Sequence, residues 1–324
     1  MVCDVEENGV AVETDVEGYR SMTDLWLPAG RASDGPDPLF ISPEKAGWSY
    51  AGLRVIELSP GETRTLVTGE DEMAVLPMAG SCEVECESQR FELRGREHVF
   101  AKVSDFAYVP IDCELRITSA GGGRFALPSA RATRRFEPAY GAAEEVPVEI
   151  RGAGQASRQI NNFLEPGAFP ADRLIAVEVL TPEGNWSSYP PHKHDEHRSD
   201  EESLEEIYYF EIARLPDRSR PEREVGAGFG LHRLYTSDGQ IDLTESVSHG
   251  DAVLIPRGYH GPSVAPPGYD MYYLNVLAGP DERRMAVRDD PDHHWVRDTW
   301  REQPKDERLP MITAEEQRSE RDGG

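Results

Sequence analysis

The sequence predicts an all-β fold built from two tandem domains, and three observations support that prediction. Its 324 residues are long for one small domain and suit two domains of ordinary size. The 29 glycines and 25 prolines are scattered along the chain, where they separate short runs of alternating apolar and polar residues. The second half also repeats the order of strands and turns found in the first half, which indicates an internal duplication.

The first half contains three segments with strand-and-turn patterns. Residues 48–69, WSYAGLRVIELSPGETRTLVTG, predict a strand, a Pro-Gly turn and a second strand. Residues 73–100 continue with alternating segments and a tight turn at LRGRE, and residues 104–132 supply at least three more strands. Together these segments predict a complete β-sandwich or barrel.

The second half contains a counterpart of each segment. Residues 172–194, DRLIAVEVLTPEGNWSSYPPHKH, parallel the first strand pair, and LEEIYYFEIA parallels DEMAVLPMAG. Residues 247–268, VSHGDAVLIPRGYHGPSVAPPG, repeat an apolar strand that ends in proline and a tight turn. We therefore predict an N-terminal domain over residues 1–150 and a C-terminal domain over residues 151–324, which ends in a charged tail with one short helix.

Composition narrows the partners and the compartment. The net charge is −26 and the isoelectric point is about 4.7, so the field of the protein repels phosphate backbones and nucleic acid is not an expected partner. The N-terminus is acidic and mixed rather than basic and then apolar, and no run of about 18 apolar residues offers a membrane span. We expect a cytoplasmic protein with no membrane partner.

The four cysteines predict free thiols rather than a metal site. Cys82 and Cys86 are separated by an even interval, so on a strand both face the same side. A zinc knuckle would need another close pair, which Cys3 and Cys113 do not form. The expectation is free structural thiols in a reducing compartment.

Two histidines in the second half form a pattern suited to metal binding. His192 and His194 lie at positions i and i+2, so on a strand both imidazoles can reach one ion from one side. Downstream, Glu206 stands at the start of the aromatic strand IYYF, and His260 follows a strand that ends in Pro256. These four residues, His192, His194, Glu206 and His260, are the predicted metal ligands, because this set on neighbouring strands resembles that of the cupin barrel.

The choice of carboxylate leaves an alternative open. Glu205 competes with Glu206, because a shift of one residue moves a side chain to the other face of a strand. The acidic stretch from Asp195 to Glu205 is interpreted as an inserted, solvated loop, whose Asp195, Glu196 and His197 could be ligands only if it folded back. The first half has no histidines at the matching places, so its barrel is predicted to lack metal.

Several segments resemble the 5-deoxyglucuronate isomerase family, the bicupin enzymes of myo-inositol catabolism. They are RGAGQASRQINN at the junction and, in the second half, GNWSSYPPHKHD, LEEIYYF, GFGLHRLYT, GDAVLIPRGYHGPSVAPPGYDMYYLNVLAGP and DPDHHWVRDTW. The first half matches mainly in layout. The resemblance implies a bicupin, that is, two tandem cupin domains of jelly-roll β-barrel type. It also implies an aldose–ketose isomerase that converts the sugar acid 5-deoxy-D-glucuronate to 5-dehydro-2-deoxy-D-gluconate.

The predicted site suits that chemistry. A divalent ion that holds a carbonyl and the adjacent hydroxyl stabilises an enediolate, and zinc is the default choice, with manganese, iron and nickel also compatible with these ligands. A general base must move a proton between neighbouring carbons, and the candidates are Tyr272, Asp270, Tyr273 and Glu178. Strand parity puts Asp270 and Tyr272 on one face and Tyr273 on the other, without deciding which face points inward.

The substrate carboxylate requires a cation, and the candidates are Lys193, Arg233, Arg257 and Arg297. Arg257 is the first choice because it lies three residues before His260. Two other functions remain open, an iron(II) cupin dioxygenase and a non-catalytic sugar-binding bicupin. Because barrels with exposed edge strands often associate, we also expect a homo-oligomer, a dimer or higher.

Overall fold

The computed structural model describes residues 24–216, 220 and 222–315 and consists mainly of antiparallel β-strands. Strands β1 to β10 are Trp26–Leu27, Leu39–Ile41, Ala51–Leu58, Glu62–Val67, Asp71–Cys86, Gln89–Arg96, Phe106–Val109, Glu114–Ser119, Gly123–Arg131 and Ala139–Gly141. Strands β11 to β25 are Val148–Arg151, Arg158–Asn161, Ile175–Thr181, Trp186–Ser187, His192–Lys193, Asp195–Arg198, Glu201–Ser203, Glu205–Arg214, Glu224–Val225, Gly230–Tyr235, Asp242–Val247, Ala252–Ile255, Tyr259–Val264, Tyr269–Ala278 and Arg288–Asp289. The α-helices are α1, Pro43–Ala46, and α2, Val296–Thr299.

Both halves of the chain use the same strand order, which confirms the predicted tandem barrels. The large sheet of the first half runs β10-β7-β5-β9-β3-β2, and that of the second half runs β1-β22-β18-β24-β13-β12-β11. Each central strand of one sheet therefore has a counterpart in the other. In the second half, a smaller sheet of order β21-β20-β23-β15-β25 completes the barrel and carries two of the predicted ligands.

Strand β1 lies in the first half of the sequence but belongs to the large sheet of the second half. Trp26 and Leu27 of β1 pair with Val253 and Ala252 of β22, at the edge of the second large sheet. The corresponding edge in the first half is filled by β10, which pairs with β7. The start of the described chain thus completes the second barrel, although the sequence suggested that residues 1–150 form the first domain.

Alternation along β18 separates two environments. Tyr208 and Phe210 face the interior of the second barrel, whereas Ile207 and Tyr209 belong to a core that the two halves share. The strand is apolar on both faces because each face is buried, which explains why its sequence shows an almost continuous apolar run. Glu206 has the parity of the inward face.

The two large sheets pack against each other through their outer faces. Leu53 of β3 and Leu274 of β24 lie in the same buried cluster. Two ion pairs cross this contact, one between Arg96 and Glu178, whose side chains are both buried, and one between Arg124 and Glu211. Removing one partner of a buried pair leaves an uncompensated charge, so these pairs strongly favour one relative placement of the sheets.

No helix among the described residues is long and apolar enough to span a bilayer.

The interior of the first barrel is filled with apolar side chains, including the cysteines. Cys82 and Cys86 lie in one cluster with Phe125, which agrees with the predicted shared face. The prediction of free thiols is wrong for two residues, since Cys86 and Cys113 form a disulfide. β5 pairs with β8 so that Cys86 faces Leu115, which brings the nearby Cys113 close. Cys82 is a free buried thiol, and Cys3 lies outside the described residues.

Candidate metal centre and pocket

Three short segments bring the predicted ligands together at one end of the second barrel. His192 on β15 pairs directly with His260 on β23. Glu206 stands at the start of β18, between Ile255 of β22 and Leu277 of β24. The residue after His260 has to be glycine, because a Cβ on Gly261 would lie 1.8 Å from the backbone oxygen of Ser188.

The nitrogen and oxygen atoms of this cluster converge within a few ångströms. The Nε2 atom of His194 lies 2.9 Å from Oε2 of Glu206, and Nε2 of His260 lies 3.0 Å from the same oxygen. These three side chains are buried, and their ligand atoms all lie within 4.8 Å of one another. The imidazole of His192 lies beside them, with its centroid 4.5 Å from that of His260. Three of the four predicted ligands thus converge, and His192 borders them.

The hydrogen bonds of the imidazoles show that the cluster fits a cation. Each Nδ1 faces a backbone carbonyl: His194 that of Leu204 at 3.0 Å, His192 that of Pro190 at 3.2 Å, and His260 that of Gly258 at 3.3 Å. A carbonyl can only accept, so the ring proton belongs on Nδ1, and Nε2 of a neutral ring offers a lone pair. Lone pairs this close to a carboxylate repel one another unless a positive charge lies among them, which a metal ion would supply or, at His194, a second ring proton donated to Glu206.

Two further observations agree with that conclusion. The Nε2 atom of His260 is buried without a hydrogen-bond partner, because its approach to Glu206 lacks hydrogen-bond geometry. Burial, together with the neighbouring His260 and His194, lowers the pKa of His192 well below its usual value, which favours the neutral ring that metals bind.

The competing carboxylates are directed elsewhere. Glu205 points to the other barrel, where its oxygens accept hydrogen bonds from the backbone N–H groups of residues 49, 50 and 51 at 2.8–2.9 Å. The acidic insertion is a two-stranded hairpin of β16 and β17 rather than a wholly solvated loop, and its Glu201 is buried in contact with Lys193. His197 lies in a separate group with Glu202 and Asp281.

A pocket of about 180 Å³ opens beside the cluster. His192, His194 and Glu206 form part of its wall. The other polar lining side chains are Arg151, Arg158, Asn162, Glu165, Ser188, Tyr208, Tyr273, Asn275 and Arg297. The apolar lining residues are Ile160, Val177, Val179, Leu277, Met285 and Val287, so polar and charged side chains make up most of this wall, which suits a polar ligand.

Of the predicted catalytic candidates, Tyr272, Asp270, Glu178 and Arg257 do not line this pocket, whereas Tyr273 does. Tyr272 points into the contact between the barrels and donates a hydrogen bond to Glu178 at 2.9 Å. Asp270 is buried with Arg223, 2.7 Å away, and Arg257 is exposed, where it contacts Asp238 and Gln240. The parity of β24 explains the first two, because the inward face carries Tyr273 and not Tyr272. Arg257 lies in a turn that faces solvent.

Two phenols do reach the pocket. The Tyr208 hydroxyl lies 2.9 Å from Oγ of Ser188, which lies 3.0 Å from the Tyr273 hydroxyl. Burial raises the pKa of both phenols, most strongly that of Tyr208, so both carry their proton at neutral pH. These groups can therefore donate a proton or a hydrogen bond to a bound oxygen.

The sequence interpretation missed the contribution of the junction. Arg151, Arg158, Asn162 and Glu165 all line the pocket, yet none was proposed as a site residue. The available signal was the segment RGAGQASRQINN, which contains the first three of them. Of the four cations considered for the substrate carboxylate, Arg297 alone lines the pocket.

The fold and site define a bicupin in which one barrel carries a His/Glu cluster able to hold a metal ion. The chain belongs to the KduI/IolB family, whose model matches residues 27–296. It is 43% identical over 259 residues to a protein of Geobacillus thermodenitrificans named 5-deoxy-glucuronate isomerase, covering 79% of this chain and 89% of that protein. A Geobacillus kaustophilus protein of the same name is 40% identical over 278 residues, covering 85% and 96%.

Solved structures agree with this assignment. The crystal structure of an IolB-like protein from Salmonella typhimurium matches with a TM-score of 0.76 and 34% identity, over 84% of this chain and 98% of that one. The oxalate decarboxylase of Lactobacillus farciminis matches with a TM-score of 0.55 over 77% of this chain and 82% of that one. Its sequence identity is 12%, so the second match supports the fold alone.

Proposed function

We propose that this protein is a metal-dependent 5-deoxy-glucuronate isomerase that converts the aldose to the corresponding ketose. The observation that carries the proposal is the convergence of His194 and His260 on Glu206 beside a pocket rich in cations, in a chain whose relatives bear that name. The proposed ligands are His192, His194, Glu206 and His260, and the proposed ion is divalent, with zinc as the default over manganese, iron or nickel.

A divalent ion bound to these ligands would act as a Lewis acid toward the carbonyl and its neighbouring hydroxyl. The chain itself supplies the remaining requirements. Three of the four proposed ligands lie on strands of the second barrel and His194 directly follows β15, so their positions are set before substrate arrives. Tyr208, Ser188 and Tyr273 offer protonated hydroxyls to substrate oxygens, a role that we assign to them in place of Tyr272 and Asp270.

The proton that moves between neighbouring carbons needs a base. Among the described residues that line the pocket, Glu165 is the one carboxylate besides Glu206. The phenols are held protonated by burial, and Glu206 is engaged by two imidazoles. We therefore assign the proton transfer to Glu165, which lies in the junction next to the cationic side of the pocket.

Metal removal provides the test. Protein stripped with a chelator and then reloaded separately with zinc, manganese, iron(II) or nickel should convert 5-deoxy-D-glucuronate to its ketose only when reloaded, as followed by NMR. The same assay without oxygen should give the same rate, because isomerisation consumes no oxidant. An oxygen requirement would favour a dioxygenase, and unchanged substrate with every metal would reject the proposal. The cytoplasmic location and the homo-oligomer stay predictions.

A further inference from the structure

The most unusual charge in the pocket is that of Arg158 on β12. Its side chain is buried, with 4% of the residue exposed, and it lines the pocket. Its Nη1 donates to the backbone oxygens of Ala156 at 3.0 Å and Tyr189 at 3.3 Å. Within the described part of the chain, no carboxylate forms an ion pair with it.

The other two arginines of the pocket differ in this respect. Arg297 forms two hydrogen bonds to Asp289, one of 2.6 Å from Nη2 to Oδ1. Arg151 likewise contacts both oxygens of Glu149, at 2.7 and 2.8 Å. The guanidinium groups of Arg297 and Arg151 are each neutralised by a protein carboxylate, whereas that of Arg158, the most buried of the three, is not neutralised by any carboxylate that the structure describes.

Burying a cation without a counter-charge costs free energy, and this cost lowers the pKa of the cation. Burial lowers the pKa of Arg158 to about 10, although a guanidinium normally stays above 12. Because no carboxylate among the described residues pairs with the Arg158 guanidinium, a ligand bound in the pocket can supply its counter-charge. A carboxylate suits this position, because arginine can bind its two oxygens through a planar fork of donors.

We propose that Arg158 is the residue that binds the carboxylate of the substrate and thereby selects sugar acids over neutral sugars. The inference rests on the proposed function for the identity of the substrate, and it replaces Arg257 as the carboxylate-binding residue. Arg257 lies in an exposed turn with Asp238 and is not among the lining residues.

The C-terminal segment holds Arg158 in place. On one side of it, the backbone N–H of Asp306 donates to the Ser157 hydroxyl at 3.1 Å. On the other side, Gln159 exchanges two hydrogen bonds with the backbone of Ile312, at 2.9 and 3.1 Å. The ring of Trp300 lies between the guanidinium groups, 5.6 Å from that of Arg158 and 5.1 Å from that of Arg297. The tail therefore fixes both neighbours of the arginine and its stacking surface.

A matched pair of probes isolates the carboxylate. D-glucuronate and D-glucuronamide have the same shape and differ by one charge, so calorimetric titration of the metal-loaded protein with each gives a preference ratio. The wild-type chain should prefer the acid by about tenfold or more, as expected for hydrogen bonds to a charged group. Arg158→Gln should abolish the preference, Arg158→Lys should retain part of it, and Arg257→Gln should leave it unchanged.

The controls separate this inference from folding defects and from the proposed reaction. Thermal melting and metal content should be close to wild type in Arg158→Lys, which carries the test alone if Arg158→Gln does not fold. A full preference in either folded Arg158 variant, or none in the wild type, would overturn the inference. If the Arg158 variants lose the preference but the wild-type protein does not isomerise 5-deoxy-D-glucuronate, the carboxylate site stands and the proposed reaction is rejected. If the wild-type protein isomerises the substrate and Arg158→Gln does so with an unchanged KM, the proposed reaction stands and the carboxylate site is rejected.

Discussion

The two barrels share one strand order and differ in what fills their interiors. On β18, Glu206 pairs with Ile255, the residue before Pro256. On β5, Met73 pairs with Val109, the residue before Pro110, so a methionine occupies the position of the metal-type carboxylate. The scaffold is thus compatible with an apolar core or with a polar site, and a few side chains decide which one forms.

The first barrel nevertheless contributes to the second. Its Arg96 forms the buried ion pair with Glu178 on β13, the strand whose neighbouring residues Val177 and Val179 line the pocket. Its Ser49, Tyr50 and Ala51 backbone groups bind Glu205, next to the ligand Glu206. The first barrel therefore supports the strands that carry the His/Glu cluster.

The largest expected effect comes from exchanging the residues at the equivalent position. Glu206→Met gives the second barrel the residue of the first and should lower turnover by about 1000-fold, because the metal supplies several kcal/mol of charge stabilisation. Metal content by atomic emission and turnover by NMR would measure the loss. The reciprocal Met73→Glu should add no metal, since no imidazoles face that position among the described residues.

The adjacent carboxylate supplies the control for that exchange. Glu205→Gln alters the outward face of the same strand and should retain bound metal, with a lower melting temperature because three backbone donors lose a charged acceptor. If the Glu205 variant lost its metal and the Glu206 variant kept it, the assignment of faces on β18 would be reversed.

A smaller effect distinguishes the two neighbouring tyrosines of β24. Tyr273→Phe removes a hydroxyl that reaches the pocket and should reduce kcat by about 100-fold, as is typical for the loss of a proton donor. Tyr272→Phe removes a hydrogen bond to Glu178 at the contact between the barrels and should instead cost about 1 kcal/mol of unfolding free energy. Steady-state kinetics and urea unfolding of both variants would show whether Tyr273→Phe mainly loses activity and Tyr272→Phe mainly loses stability. Equal kinetic losses in the two variants would argue against this assignment.

A pH-dependent effect is expected for stability in acid at the same contact. Burial, with Arg124 adding to it, lowers the pKa of His249 to about 4, below the value of about 6.5 expected in the unfolded chain. Between these values only the unfolded state binds this proton, so the contribution of His249 to the unfolding free energy falls as the pH falls from about 6.5 to 4, by up to about 1.4 kcal/mol per pH unit. The neighbouring Glu211, whose pKa burial raises to about 7, contributes in the opposite sense. His249→Gln should therefore be more stable relative to wild type at pH 5 than at pH 7 in urea titrations, and the same difference at both pH values would contradict the assignment.

The sequence sufficed for the fold, which leaves local patterns, and it named His194, Glu206 and His260, which cluster in the structure. Alternating runs and Pro-Gly turns repeat within each half, and His192 and His194 are close neighbours in the chain. The choice of Glu206 over Glu205 also agreed with the geometry, since a strand start and its parity can be inferred from the aromatic run that follows.

Other features depend on long-range packing and leave no local pattern. Which face of YDMYYLN points inward is decided by β13 and β18 on either side of β24, so Tyr272 was chosen where Tyr273 lines the pocket. Arg158 comes from a junction that looked like a connection between domains. The disulfide joins Cys86 to Cys113 across 27 residues, through a strand pairing that spacing alone does not reveal.

The placement of β1 has a consequence for the order in which the molecule can form. The Trp26 indole donates to Asp251, 225 residues further along the chain, and its strand pairs with β22. A growing chain emerges from the ribosome with its N-terminus first, so β1 must wait until most of the second barrel has been synthesised. The second barrel therefore completes its sheet with a strand made before the first barrel, and a fragment that begins at the junction would expose β22 as an open sheet edge prone to aggregation.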